Sequence, residues 1–153
     1  MARERSILER IKNRIETVNG SGSFTYDLSG ADQVKIGAKF SGDRLPSAYV
    51  YATGITTEQV AGRTTLVNYD RTMSVNVELF VGANSADPGE VHLVGIDAAS
   101  DIMIALENDR SLNGNANDLE IAMSTFDGEE FDMPGIAVVV CQMQITYSET
   151  AGA

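Results

Sequence analysis

The string from Asp109 to Glu120 carries the donors that a calcium ion takes. Set against a twelve-residue EF-hand loop, Asp109, Ser111, Asn113, Asn115 and Asn117 fall at positions 1, 3, 5, 7 and 9. Gly114 then occupies the turn position and Glu120 the bidentate one. Three features count against a calcium-binding module: a serine at the third position, the small Ala116 at the eighth, and the presence of one such loop where EF-hands pair. The exit is ambiguous as well, because Leu119, Ile121 and Met123 alternate like a strand while Leu119, Ala122, Met123 and Phe126 have helical spacing. The plainer reading is a helix-to-strand connection turning at Asn113-Gly114, and it is the one adopted, with no metal or cofactor assigned.

Other chemistry is scarce. Cys141 shares a strand face with Met143, Ile145 and Tyr147 and reads as a small buried hydrophobe. His92 has neither Glu-x-x-His nor cysteine spacing around it. Asp127, Glu129, Glu130 and Asp132 could be paired carboxylates for acid/base work, but nothing apolar is arranged in sequence to raise one pKa, so a hydrated turn is expected. Gly20-x-Gly22 lacks the preceding strand and third glycine of a dinucleotide loop and reads as a linker. With one histidine, one cysteine and no tryptophan, the residues point to an interaction or assembly protein and not to an enzyme.

Charge is unevenly spread. From Glu107 to Ala153 only Arg110 is basic against nine carboxylates, whereas Arg3, Arg5, Arg10, Lys12 and Arg14 crowd the first fourteen positions. The net charge of −11 excludes general duplex binding, which needs several cations on phosphates. Glu4, Glu9 and Glu16 interrupt the cationic stretch and no aromatic platform accompanies it, so Arg3, Arg10 and Arg14 are expected in a solvated helix face or a subunit contact. A lone cysteine makes no internal disulfide, residues 1–16 lack a signal-peptide core, and the longest apolar run, Ile136 to Cys141, cannot span a bilayer; a cytoplasmic chain is expected.

The elements that would position these residues follow from periodicity. Ile7, Leu8, Ile11, Ile15 and Val18 mark an amphipathic helix over 3–18 that stops at Asn19-Gly20-Ser21-Gly22. Strands are predicted over 24–28, 33–40 and 48–52, followed by a long loop or extended hairpin arm over 55–65. Met73, Val75, Val77, Leu79 and Val81 alternate with Thr72, Ser74, Asn76, Glu78 and Phe80, the clearest strand in the chain. Outward Phe80, with Tyr49 and Tyr51 on one strand face, hints at a second buried surface. Asp87, Pro88 and Glu90 begin a helix over 88–109 with Leu93, Ile96, Ala99, Met103 and Leu106 as its buried stripe. Strands over 119–125 and 135–147 close the chain. The expected fold class is α+β or mixed α/β: an antiparallel or mixed sheet with two flanking amphipathic helices, one domain over 1–153.

Several strings in this order resemble the tail terminator proteins of long-tailed, siphophage-type bacteriophages. They are Ser6-Ile7-Leu8-Glu9-Arg10-Ile11, Asp32-Gln33-Val34-Lys35-Ile36-Gly37, the arm near Thr56-Thr57, and Ala105-Leu106-Glu107-Asn108-Asp109-Arg110. The resemblance covers most of the chain in order and length. It implies a non-catalytic virion assembly protein, a homo-oligomeric and hexameric ring seated on the completed tail tube. That ring would stop tube growth and carry the head-joining surface. Its partners would be the tail tube protein and the head-tail connector or stopper, with DNA passing through unbound and no membrane involved. Its place would be the virion tail, reached by assembly in the host cytoplasm. A tube protein or connector stopper is the nearest alternative. Asp127 to Asp132 would line the channel, repelling DNA by like charge.

Overall fold

The computed structural model describes residues 2–37, 44–63 and 66–151. Positions 38–40 of the expected strand over 33–40 and positions 64–65 of the expected arm lie outside the described residues. In chain order the elements are α1 (Arg3–Ile15), β1 (Val34–Ile36), β2 (Ser47–Arg63), β3 (Leu66–Gly82), α2 (Pro88–Glu107), β4 (Asp118–Asp127) and β5 (Ile136–Ala151). A 3-10 turn, Gly128–Phe131, joins the last two strands. The strands form one five-stranded sheet in the order β1-β2-β3-β5-β4, with β1 parallel to β2 and every other pair antiparallel. Both helices pack on one face of it, so the chain is an α+β domain with a mixed sheet.

Strand alternation sets which side is covered. Met73, Val75, Val77 and Leu79 of β3 and Val139, Cys141, Met143 and Ile145 of β5 are buried beneath the helices. Ile7, Ile11 and Ile15 of α1 fill the same core. That helix ends at Ile15 and not at Val18: the N–H groups of Thr17 and Val18 turn back to the carbonyls of Arg14 and Ile15, tightening the last turn while Val18 stays buried.

Residues 24–28, expected as a strand, keep only an isolated antiparallel bridge from Asp27 to Asn19, beside which the Leu28 N–H donates to the Val18 carbonyl at 2.7 Å. Two earlier donors are taken elsewhere: the N–H groups of Thr25 (2.9 and 3.1 Å) and Tyr26 (2.8 Å) donate to the carboxylate of Asp101 on α2, which is almost wholly buried. With these two donors satisfied by a side chain, the ladder does not extend back through Thr25 and Tyr26. The expected strand over 33–40 is only three residues long among the described residues, because Gly37, at φ 118, turns the chain off the sheet.

The ambiguous segment 55–65 is the extended arm. β2 and β3 stay paired from Ser47 opposite Phe80 to Arg63 opposite Leu66, and β5 accompanies β3 to Ala151. Side chains 52–59 of β2 are exposed on both faces, so no period could mark them as strand.

Helix α2 starts as expected, with the Asp87 carboxylate accepting from the N–H of Glu90 at 3.3 Å. Of the expected stripe, Ala99 and Leu106 are buried and Met103 is half-buried, but Leu93 and Ile96 face outward at 64% and 47% exposure, and Val91, Gly95, Ala98, Ile102 and Ala105 complete the buried side in their place. The helix bears apolar residues almost all round, and the sheet takes the stripe whose small residues permit close approach. The helix also stops at Glu107, two residues short of expectation.

Candidate functional site

Asp109 and Glu120, the ends of the calcium-like string, stand on opposite sides of the sheet. Asp109 turns to α1, where its carboxylate accepts from Arg10 Nε at 2.7 Å and from the Asn113 N–H at 3.1 Å. Burial pushes the Asp109 carboxyl up, but the hydrogen bonds from Arg10 and Asn113 and the charges of Arg10 and Arg14 outweigh it, and its pKa lies below the ordinary value. Glu120 projects from β4 on the uncovered face, beside Gln142 and Gln144. Ser111 Oγ accepts from the Gly114 N–H, Asn115 Nδ2 donates to the Leu112 carbonyl, and Asn117 Nδ2 donates to Ser148 Oγ. The segment is a connection that turns through left-handed Leu112, Asn113 and Gly114, with the Leu112 side chain fully buried. Among the described residues no group of three or more His, Cys, Asp or Glu is placed to hold a metal ion.

The cations of α1 are engaged within the chain. Arg3 pairs with Glu149 at 3.3 Å, Arg5 with Glu9, Arg10 with Asp109, and Lys12 with Glu16. Arg14 Nε donates to the Ala105 carbonyl at 3.0 Å. Arg3, Arg10 and Arg14 therefore clamp α1 onto β5 and α2, so the cation-rich face expected from sequence is largely spent on the fold. Beneath the same helix Arg71 meets Glu4 at 3.4 Å, next to the buried phenol of Tyr147. Burial, then Glu4, pushes that phenol up to about 12. Cys141 is buried as expected, and desolvation alone lifts its thiol to about 12. His92 is exposed and shares a cleft with Thr125 and Phe126 at the edge of β4.

The uncovered face carries the remaining feature. Register places Phe80, Val138 and Phe126 side by side across β3, β5 and β4, and Glu78, Val140 and Ser124 in the adjoining row. Tyr49, Phe80 and Val138 are buried there as a second small core, under Leu45, Met133 and Ile136. The rings of Tyr49 and Phe80 meet edge to face at 5.8 Å. The second buried surface hinted at by Phe80 and Tyr49 is thus partly covered by the chain itself. Beside it opens a groove of about 310 Å³ between Phe80, Phe126, Phe131, Met133 and Val138, with Glu78 at its polar end. Tyr51 donates its hydroxyl to Glu78, and burial together with that carboxylate raises the Tyr51 phenol.

Phe131, carried by the acidic turn, forms one wall of this groove. Asp127 caps the 3-10 turn by accepting from the Glu129 N–H at 2.9 Å, Glu129 and Glu130 face solvent, and Asp132 sits left-handed at φ 58. Phe131, in the same turn, packs edge to face on Phe126 at 6.4 Å and is 54% exposed. Gly128 makes the turn possible, since a Cβ there would stand 2.5 Å from the Met133 carbonyl and 2.6 Å from that of Ile136. The hydrated turn expected from sequence is present, but its apolar neighbours went unseen because they come from three strands and a turn that only register unites. No protein-family model matches the chain, and no curated protein matches its sequence.

Proposed function

We propose that the protein is a structural ring subunit of virion assembly: the cap that sits on a completed phage tail tube, ends its polymerisation and offers the head-joining surface. The kind of assembly comes from the resemblance of its sequence to tail terminators. The observation that carries self-association is the outer side of α2, where Leu93 and Ile96, one turn apart, face solvent while a separate stripe packs on the sheet. A helix apolar on both sides is one that is covered on both sides. When such a patch meets a different surface of the next copy and the rotation closes, a ring results.

In this reading the protein has no catalytic or cofactor role, and its partners are its own copies, the tail tube protein and the connector or stopper. It resides in the virion tail after assembly in the host cytoplasm. The chain meets no membrane; among the described residues no helix is long and apolar enough to cross one. The acidic turn adjoins an apolar groove, a setting that suits a docking rim better than a channel wall. The test is a Leu93→Asp/Ile96→Asp variant, which leaves the core untouched. It should run as a monomer by light scattering where the parent runs as a closed oligomer; equal masses for the two would remove α2 from the interface.

A further inference from the structure

We propose that the groove on the uncovered face docks an apolar segment of a partner protein that is flanked by lysine or arginine. The proposal rests on the groove itself and stands whether or not the subunit closes into a ring. The groove is concave and apolar: Phe80 and Val138 form a buried floor, and Phe126 and Phe131 stand as half-exposed walls at 41% and 54%. A site of that kind takes an aliphatic or aromatic anchor.

Charge selects what flanks the anchor. Glu78 stands two residues along β3 from Phe80 on the same face, about 7 Å away by strand rise. Its carboxylate accepts from Tyr51 and retains acceptor capacity toward the groove. At the other wall Phe131 belongs to a turn whose Glu129, Glu130 and Asp132 face solvent beside it, while Asp127 is turned to the α2 side and caps the turn. The one cation of the last 47 residues, Arg110, is engaged with Asp118 at 3.0 Å. Lys35 of β1 lies in the row of Glu78 but two strands away, beyond Tyr49, so Glu78 is the charge that lines the groove itself. With Glu129 and Glu130 beside Phe131, it favours a cation on either side of an apolar anchor.

A second copy fits this site poorly. Its outward α2 stripe is accompanied by Glu90, Asp97 and Glu107, with no lysine or arginine on the helix, so seating it here would set carboxylates against carboxylates. The cations of its α1 are held by their own chain. A different protein, supplying lysine or arginine beside leucine, phenylalanine or a similar side chain, completes the site.

The test is a methyl NMR titration of the full chain, reading Met133, Val138 and Val140, with three synthetic peptides. One has a Leu-Phe core between lysines, the second the same core between glutamates, and the third a Ser-Ser core between lysines. The first should bind about tenfold tighter than either control and weaken as salt is raised. Phe131→Ser, at an exposed position, and Glu78→Gln should each reduce that binding severalfold while the other methyl signals keep the parent pattern. Equal binding of all three peptides, no binding of the first, or binding unchanged in both variants would overturn the proposal. So would a drop in the solution mass of the protein alone on Phe131→Ser, which would make a second copy the occupant.

Discussion

Replacing Asp101 should loosen the chain far more than the loss of one polar side chain from a twenty-residue helix suggests. This carboxylate is 1% exposed and is the acceptor for two backbone N–H groups through three contacts of 2.8 to 3.1 Å. A hydrogen bond to a charged group contributes about 1.5–3 kcal/mol, and stranding a buried donor costs about 1–3 kcal/mol. The buried charge carries its own desolvation cost, which offsets part of that sum. Asp101→Ala should then destabilise by about 3–4 kcal/mol, or roughly 6–16 °C in Tm for a domain of this length. Asp101→Asn keeps one accepting oxygen but turns an NH2 group toward the same donors, so its loss should be about half as large. Calorimetry at fixed protomer concentration, since assembly would shift Tm by mass action, gives the number. Amide exchange at Thr25 and Tyr26 should quicken in both variants. Melting within about 1 °C of the parent in both, with those amides still protected, would refute the view that Asp101 holds the 19–29 loop.

Ile11→Asp, at a fully buried position under α1, should cost at least about 3–5 kcal/mol and abolish cooperative melting near 37 °C; a parental melt would mean α1 is a free arm. Asp109 has its folded pKa below the ordinary 3.8, so its contribution is present above that value and is lost as pH falls through the folded pKa. Asp109→Asn should therefore be less stable than the parent at pH 7, with a gap that closes below about pH 3.8 in urea titrations; a gap independent of pH would remove the ion pair with Arg10 as its cause. Cys141, buried with its thiol pushed up to about 12, should resist a thiol reagent at pH 8 in the native protein and react fully in urea; rapid native labelling would show that the core under the helices opens.

What was legible in the sequence follows where one physical cause acted alone. β3 has one face under the helices and one face open, so its alternation from Met73 to Val81 read directly, as did the Asp87-Pro88-Glu90 start of α2. The phase of α2 did not, because Leu93 and Ile96 fit an apolar stripe as well as Val91 and Ile102 do, and only the small Gly95 and Ala98 beneath the helix decide between them. Thr25 and Tyr26 have the composition of a strand, yet a carboxylate far along the chain takes their donors. The arm carried no period because side chains 52–59 of β2 are exposed on both faces. Of the groove, only Phe80 left a mark in the sequence, as the apolar exception on a polar face. Phe126, Phe131 and Met133 gained meaning once β4 and β5 were in register.

The central claim is that this chain closes on copies of itself into a ring. Negative-stain electron microscopy of the purified protein, joined to light scattering on the same sample, tests it most directly. The account predicts closed annular particles with an open centre and a mass of several protomers, six by the resemblance to tail terminators. A monodisperse monomer at high protomer concentration, with no particles recruited to the ends of tail tubes, would contradict it.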